Sequence, residues 1–586
     1  MSPCSSALID YVLAFANRAE PFLTHYCLLP DKSVETRHLS RGEFWALARR
    51  AAGVLHQHGV GKGAAFALYL SANRPEDLAF RLGATIVGAV PVTINWQADT
   101  TERIAFKVTH TECRLVVADA GVSKEHLDGL RAEVKVLPVF FIEALDAQPE
   151  LPEGDFCTAR DLGPDATKMI IFTSGTTGEP KGVRLPYRSY ATNRSTFESF
   201  LGVGPEDALS LLIVNPMHHT NSSAMTDWAL RRAGTRLHLV ERYSTQYWAI
   251  LRDVVRQSPG RIVAPLVSRH FDYLENLRAE DKVPLPPEEL KQAARRAEFL
   301  LGSAPVGPTT VKRVQEWSGR LPLVRFGSTE TCLQVAGTSP VLPEEQRLAA
   351  FERGWAHKWQ NESTCGYYIG RPHPPCTELR IVRSVTPGDA HYLADSSEGE
   401  PGWFIARGGN VMQGYVKDEK ATEQVLHADG WYTGFGDVGF WIASGKDGER
   451  DYYWLSRESA LLVRGGAKYA YAQVEAELSA FLATRYELPS DAFEVAVVGL
   501  RLGSEHEDTC CVTVELLCED AQRKRPDIER TFLAEAPANV TKGAKPDRVR
   551  FAQIPRNFKG VPLVPALKEE YLAEIKAQRD SSQQTR

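Results

Sequence analysis

The stretch Thr173-Ser-Gly-Thr-Thr-Gly-Glu-Pro-Lys-Gly182 directly follows the apolar run Lys168-Met-Ile-Ile-Phe172, and its reading decides the fold. Its three glycines let backbone amides approach an anion closely. Three threonines and a serine add hydroxyl donors, and Lys181 adds a positive charge. Such parts at the end of a strand can hold polyphosphate. A glycine-threonine hairpin loop with no ligand is the competing reading. The Walker loop requires Gly-x-x-x-x-Gly-Lys-[Ser/Thr]; here Pro180 precedes the lysine and Gly182 follows it, so that motif is excluded. The Rossmann glycine spacing is absent too.

Outward from this loop, strand-like and helix-like segments alternate. Phe44 to His56 has helical periodicity, Ala64 to Leu70 reads as a buried strand, and Pro75 to Val87 is helical again. Further strands are expected at Leu209 to Val214, Arg236 to Val240, Arg261 to Val267, Phe299 to Leu301 and Pro322 to Phe326. This order predicts an α/β fold with parallel-rich sheets covered by helices. From Thr377 to Leu455 short alternating strands, glycines and aromatics predict a β-rich subdomain, with a hairpin turn at Lys446-Asp447-Gly448. Beyond Arg457 helix and strand alternate again, with a helix at Ala472 to Ala483, strands at Phe493 to Val498 and Cys511 to Leu516, and a charged helix from Ala566. The expected division is a large N-terminal domain, 1–457, and a small mobile α+β C-terminal domain, 458–586. Val341 to Ser363 reads as a polar, helix-prone surface elaboration, and the residues from Asp580 as a disordered tail.

Composition bounds the function. A chain of 586 residues exceeds one ordinary domain of roughly 100–200 residues. Hydrophobic residues make up 43% and charged residues 24%, the balance of a globular protein with ample core. A formal net charge of -6 argues against nucleic acid held by bulk positive charge. The ten cysteines show no metal-ligand spacing, and Cys510-Cys511 reads as two packed thiols. This usage suggests a reducing, cytoplasmic setting. No secretory signal and no membrane span are expected. Oligomeric state is not legible.

With further segments in order, the chain resembles the adenylate-forming superfamily of acyl-CoA synthetases, peptide-synthetase adenylation domains and beetle luciferases. Thr173, Ser174, Gly175, Thr176, Thr177, Gly178 and Lys181 correspond to its phosphate loop. Gly302-Ser303-Ala304-Pro305 resembles its adenine-binding turn, and Phe326-Gly327-Ser328-Thr329-Glu330-Thr331 its next motif. There the resemblance implies that the Phe326 ring stacks on adenine, Thr329 contacts the α-phosphate, and Glu330, with Thr173, holds Mg²⁺. Trp431-Tyr-Thr-Gly-Phe-Gly-Asp437 resembles the ribose motif with one extra residue, and Arg457 the arginine that also reaches ribose. His219, in Asn215-Pro-Met-His-His-Thr220, falls where the family lines its acyl site.

The pattern breaks in the C-terminal region, which in this family is thought to rotate between two half-reactions. Gly465, Gly466 and Glu475 match, but the hinge position is Ala460. The last motif reads Pro555-Arg-Asn-Phe-Lys-Gly-Val561, with valine where the family has its catalytic lysine. Lys559, two residues earlier, is the candidate surrogate, since i and i+2 of an extended segment share a side.

The resemblance implies activation of a small-molecule carboxylic acid by ATP with Mg²⁺, then transfer to CoA. Val240-Glu-Arg-Tyr-Ser-Thr-Gln-Tyr-Trp248, Arg464-Gly-Gly466 and Pro555-Arg-Asn557 are similar to carnitine-type CoA ligases. The altered last motif leaves open a non-CoA acceptor such as an amine, an inorganic acid such as nitrite, or a nucleotide-binding homologue with impaired catalysis.

Overall fold

The computed structural model of the chain describes residues 7–134, 137–157, 162–173, 180–359, 362–457, 460–464, 467–502, 508–556 and 562–584. They form two compact units: Met1–Phe351 with Tyr368–Arg380 and Ile405–Gly434, and Glu352–Tyr367 with Ile381–Phe404 and Phe435–Arg586.

The first unit holds the expected α/β architecture. One sheet has strand order Gly414–Tyr415, Lys181–Pro186, Thr167–Thr173, Val90–Thr93, Ala65–Tyr69, Val116–Ala118, Val139–Phe141. Its strands from Thr167–Thr173 to Val139–Phe141 are parallel, and Lys181–Pro186 returns antiparallel. A second sheet carries parallel Pro21–Leu28, Thr235–Val240, Leu209–Ile213, Arg261–Leu266, Ala297–Leu301 and Leu323–Phe326. Every residue of Leu209–Ile213 and Ala65–Tyr69 is buried, as strands covered on both faces require.

The helices follow from local chemistry. Arg41–Gln57 starts at a capping box, Ser40 with Glu43. Pro75–Val87 has proline in its first turn and stops at Gly88, whose φ of 74° suits glycine. These two helices pack closely at Gly83, where a Cβ would lie 2.9 Å from the Ala48 carbonyl oxygen.

The second unit contains the expected hairpin, Asp437–Ala443 against Arg450–Arg457, and Gly448 in its turn has φ +74°. Farther on, Phe493–Leu500 pairs antiparallel with Thr509–Leu516, which pairs parallel with Arg548–Phe551. Val474, Leu478, Phe532, Leu567 and both thiols of Cys510 and Cys511 are buried together beside this sheet. The described cysteines are free thiols.

Two expectations are corrected. The stretch 341–363 is helix-prone as expected, forming the helix Glu344–Trp355, but it is not wholly on the surface: Arg347, Ala350 and Phe351 are buried, with Phe351 edge-on to Tyr368 at 5.4 Å. Its sparse apolar residues share one helical face, which average polarity conceals. The final helix, Val564–Gln584, runs past Asp580, where a disordered tail was expected. Among the described residues no helix is long and apolar enough to cross a membrane.

Glu475 gives the second unit a pH signature. Its carboxylate accepts the Val497 N–H at 2.9 Å, and enclosure in the unit raises its pKa from 4.5 to about 7. Between those values the folded chain holds a proton that the unfolded chain has released, so stability falls as pH rises from 4.5 to about 7. Glu475→Gln is expected to flatten that fall, as read from urea unfolding across the same pH range.

Candidate active site

The phosphate-loop candidate is closed at its base by the pairing of Thr167–Thr173 with Lys181–Pro186, where Thr173 lies opposite Lys181. Thr173 Oγ1 donates to the Lys181 carbonyl at 3.5 Å. Ser174, Gly175, Thr176, Thr177 and Gly178 lie outside the described residues. On its other edge Lys181–Pro186 pairs with Gly414–Tyr415, and Lys181 Nζ stands 5.1 Å from the centroid of the Tyr415 ring. The Tyr415 hydroxyl donates to Glu330 Oε1 at 3.3 Å. Burial first, and the Glu330 charge second, push the Tyr415 pKa up, so the phenol keeps its proton. Lys181 and Glu330 thus flank one tyrosine, although 149 positions separate them in the chain.

Glu330 belongs to a turn held from several sides. Its carbonyl accepts the Met412 N–H at 2.7 Å. Thr331 Oγ1 accepts the Ser328 N–H at 2.9 Å, and Asn410 Nδ2 donates to the carbonyls of Thr331 and Gln334 at 2.8 and 3.0 Å. Tyr432 hydrogen-bonds Tyr415 and Ser328. Gly327 is obligatory here, because a Cβ would lie 1.6 Å from the Leu333 carbonyl oxygen. The neighbouring Phe326 ends its strand half-buried.

Thr329 ties this turn to a third segment, since Thr220 Oγ1 donates to Thr329 Oγ1 at 3.1 Å. His219 is the residue before the helix Thr220–Leu230, and its ring lies 4.3 Å from that of buried His218. The strand Ala297–Leu301, parallel to Leu323–Phe326, leads into buried Gly302 and exposed Ser303 and Ala304, with Ser303 at φ +67°. Sequence candidates from 173, 181, 219, 302 and 326–330 are therefore all carried by the first unit.

Asp437 and Arg457 belong to the second unit and pair there. Buried Asp437 Oδ1 accepts Arg457 Nε and Trp454 Nε1, both at 2.9 Å, and Arg457 Nη1 donates to the Phe435 carbonyl at 2.9 Å. Just before Asp437, Gly436 takes φ +61°. Lys559, Val561, Gly465 and Gly466 lie outside the described residues.

Tyr415, Tyr432, Thr220, Asn410 and Trp454 were not singled out by sequence reasoning. Gly414-Tyr415 offered a weak signal, an aromatic following a glycine; the others read as ordinary core or strand residues until the turn they secure is known. Among the described residues no three His, Cys, Asp or Glu side chains gather as a metal site. A lone carboxylate beside hydroxyls fits Mg²⁺ that arrives on phosphate oxygens and needs few protein ligands.

The AMP-binding enzyme family matches residues 17–416 of this chain, which therefore belongs to it. The chain is 26% identical over 550 residues to a crotonobetaine/carnitine–CoA ligase of Proteus mirabilis, covering 90% of this chain and 92% of the relative. It is 27% identical over 450 residues to a 2-succinylbenzoate–CoA ligase of Bacillus velezensis, covering 76% and 78%. Among solved structures, o-succinylbenzoate CoA synthetase from Bacillus subtilis, in complex with its acyl-adenylate intermediate, superposes with a TM-score of 0.71 at 21% identity, covering 97% of this chain and 99% of that one. An amide bond synthetase from Marinactinospora thermotolerans superposes with a TM-score of 0.70 at 20% identity, over 96% and 99%. At these identities the structural likeness establishes the fold.

Gly327→Ala is expected to destabilise the first unit by about 3 kcal/mol, since the Leu333 carbonyl must move to admit the methyl group. Denaturant unfolding measures the loss.

Proposed function

We propose that this chain activates a carboxylic acid with ATP as an acyl-adenylate, releasing pyrophosphate, and then passes the acyl group to CoA. The observation that carries this reading is the chain of contacts from Lys181 through Tyr415 to Glu330 at the base of the phosphate loop. It sets a cation and a carboxylate around one phenol, the charge pattern that a metal-bound triphosphate requires.

In the first half-reaction a carboxylate oxygen of the acid attacks the α-phosphorus, and the bond to the β-phosphate bridging oxygen breaks. In the second, the CoA sulfur attacks the acyl carbon, AMP leaves with the oxygen it gained, and the thiol proton passes to solvent. Lys181 and the loop residues 173–178 would hold the phosphates. Thr329, positioned by Thr220, would donate to an α-phosphate oxygen, and Phe326 with the 302–304 turn would take the adenine. Asp437, held by Arg457, would accept both ribose hydroxyls, and His219 would line the acid site. Mg²⁺, held by phosphate oxygens with Glu330 and Thr173, would neutralise triphosphate charge. Residues 458–586 would form the smaller domain serving the second step, and Lys559 would stand in for the lysine absent at Val561. The setting would be cytoplasmic, where CoA and ATP are both available.

The test is pyrophosphate release across acids of varied size and polarity, with and without CoA. Acid-dependent release, and a thioester only when CoA is present, is the expected result. Product from an amine without CoA would replace the acceptor, and nucleotide binding without release for any acid would remove catalysis. Lys559→Ala is expected to slow acid-dependent ATP–pyrophosphate exchange about 100-fold; unchanged exchange would remove that residue from the mechanism.

A further inference from the structure

Arg325 is a buried cation with no anion of its own. It precedes Phe326 on the strand Leu323–Phe326 and is only 5% exposed. One guanidinium nitrogen, Nη2, donates to Asn221 Oδ1 near the start of the helix Thr220–Leu230. Nε and Nη1 are buried without a hydrogen-bond partner, and among the described residues no carboxylate pairs with this side chain. Burial alone lowers its pKa to about 9, so the group remains charged at neutral pH.

An uncompensated buried charge costs several kcal/mol, and natural folds rarely keep one without a use. Buried Arg347 likewise leaves Nε and Nη1 without a hydrogen-bond partner, but it feels the charges of Glu344 and Glu298. Three further buried arginines of this unit have a carboxylate in contact. Arg231 has Asp227 at 2.7 Å, Arg41 has Glu20 at 2.8 Å, and Arg81 is paired with Asp77. Arg325 differs from them also in place. A Cβ at Gly302 would lie 3.2 Å from Arg325 Cγ and 3.5 Å from its Nε, so glycine there leaves the arginine its room. The partner Asn221 follows His219 and Thr220, and Thr220 holds Thr329. The guanidinium therefore sits where the 219–221 segment, the 302 turn and the 325–329 turn converge. Neighbouring strand residues point to opposite faces, so Arg325 faces away from the side that Phe326 offers.

Resting on the adenylation reading above, we propose that Arg325 recognises a second anionic group on the acid. The substrate class is then a carboxylic acid bearing a further carboxylate or sulfonate. Nε and Nη1 are unsatisfied donors on different edges of the planar guanidinium, and an oxygen of a carboxylate or sulfonate can accept from either. One carboxylate is left free to attack ATP while the distal anion is held, which orients the reacting end. A methyl-ended acid of the same length would leave the guanidinium desolvated and unsatisfied, so it is rejected.

The experiment is calorimetric titration of the full chain with three acids of equal length, ending in carboxylate, sulfonate or methyl, alongside pyrophosphate release with the same acids. At least one doubly anionic acid is expected to bind about 100-fold more tightly than the methyl-ended one. Arg325→Met is expected to abolish that preference, and Arg325→Lys to retain only part of it. Because the methionine variant removes an unpaired buried charge, it is expected to melt no lower than the parent. Should it nevertheless misfold, the three-acid comparison on the parent and the lysine variant still decides. Equal or tighter binding of the methyl-ended acid, a preference that survives in Arg325→Met, or no binding of either dianion overturns the proposal. Dianion binding through Arg325 without pyrophosphate release would contradict adenylation and leave the anion site standing. Release with methyl-ended acids alone would do the reverse.

Discussion

The Tyr415 side chain is the contact on which the candidate site depends. Its ring lies under Lys181 and its hydroxyl meets Glu330, so one residue couples the edge of the first sheet to a turn at the end of a strand in the second. Neither charged group could be placed by its own segment. Lys181 is on a strand beginning at the loop, and Glu330 is on a tight turn whose hydrogen bonds to Met412, Asn410 and Tyr432 all come from residues 410–432. That small stretch is the keystone: it pairs with Lys181–Pro186 on one side and ties down the 326–331 turn on the other.

Much of this was legible in the sequence, and the boundary of legibility has a physical cause. The helix Pro75–Val87 carries its own start and stop signals, proline and glycine, and it was read to the residue. Strands such as Leu209–Ile213, apolar throughout, announce burial on both faces. The Phe326–Thr331 motif was readable because close backbone approach to Leu333, as at Gly327, restricts residue type. Tyr415, Thr220 and Asn410 were not readable, since each acts on a residue more than seventy positions away. The helix Glu344–Trp355 was expected, but its buried face was missed for a related reason: Phe351 packs on Tyr368, a partner supplied by another segment.

The charged interior of the first unit separates structure from use. Lys168, Arg231 and Tyr11 all converge on buried Asp227, at 3.1, 2.7 and 2.6 Å, a self-contained network whose charges answer one another. Desolvation still lowers the Lys168 pKa to about 8. Such a network anchors the N-terminal helix to the sheet and asks for no ligand. Arg325 has an amide for a partner instead of a carboxylate, and it lies beside the candidate nucleotide segments. The same physics that makes the first cluster inert makes the second receptive.

Acyl-adenylate formation carries an oxygen atom from acid to nucleotide, and following that atom tests the account most directly. An accepted acid labelled with oxygen-18 in its carboxylate would be turned over with ATP and CoA, and the products weighed. AMP heavier by one oxygen-18 atom, with unlabelled pyrophosphate, is the result predicted. Unlabelled AMP, or label appearing in inorganic phosphate alongside ADP, would contradict it.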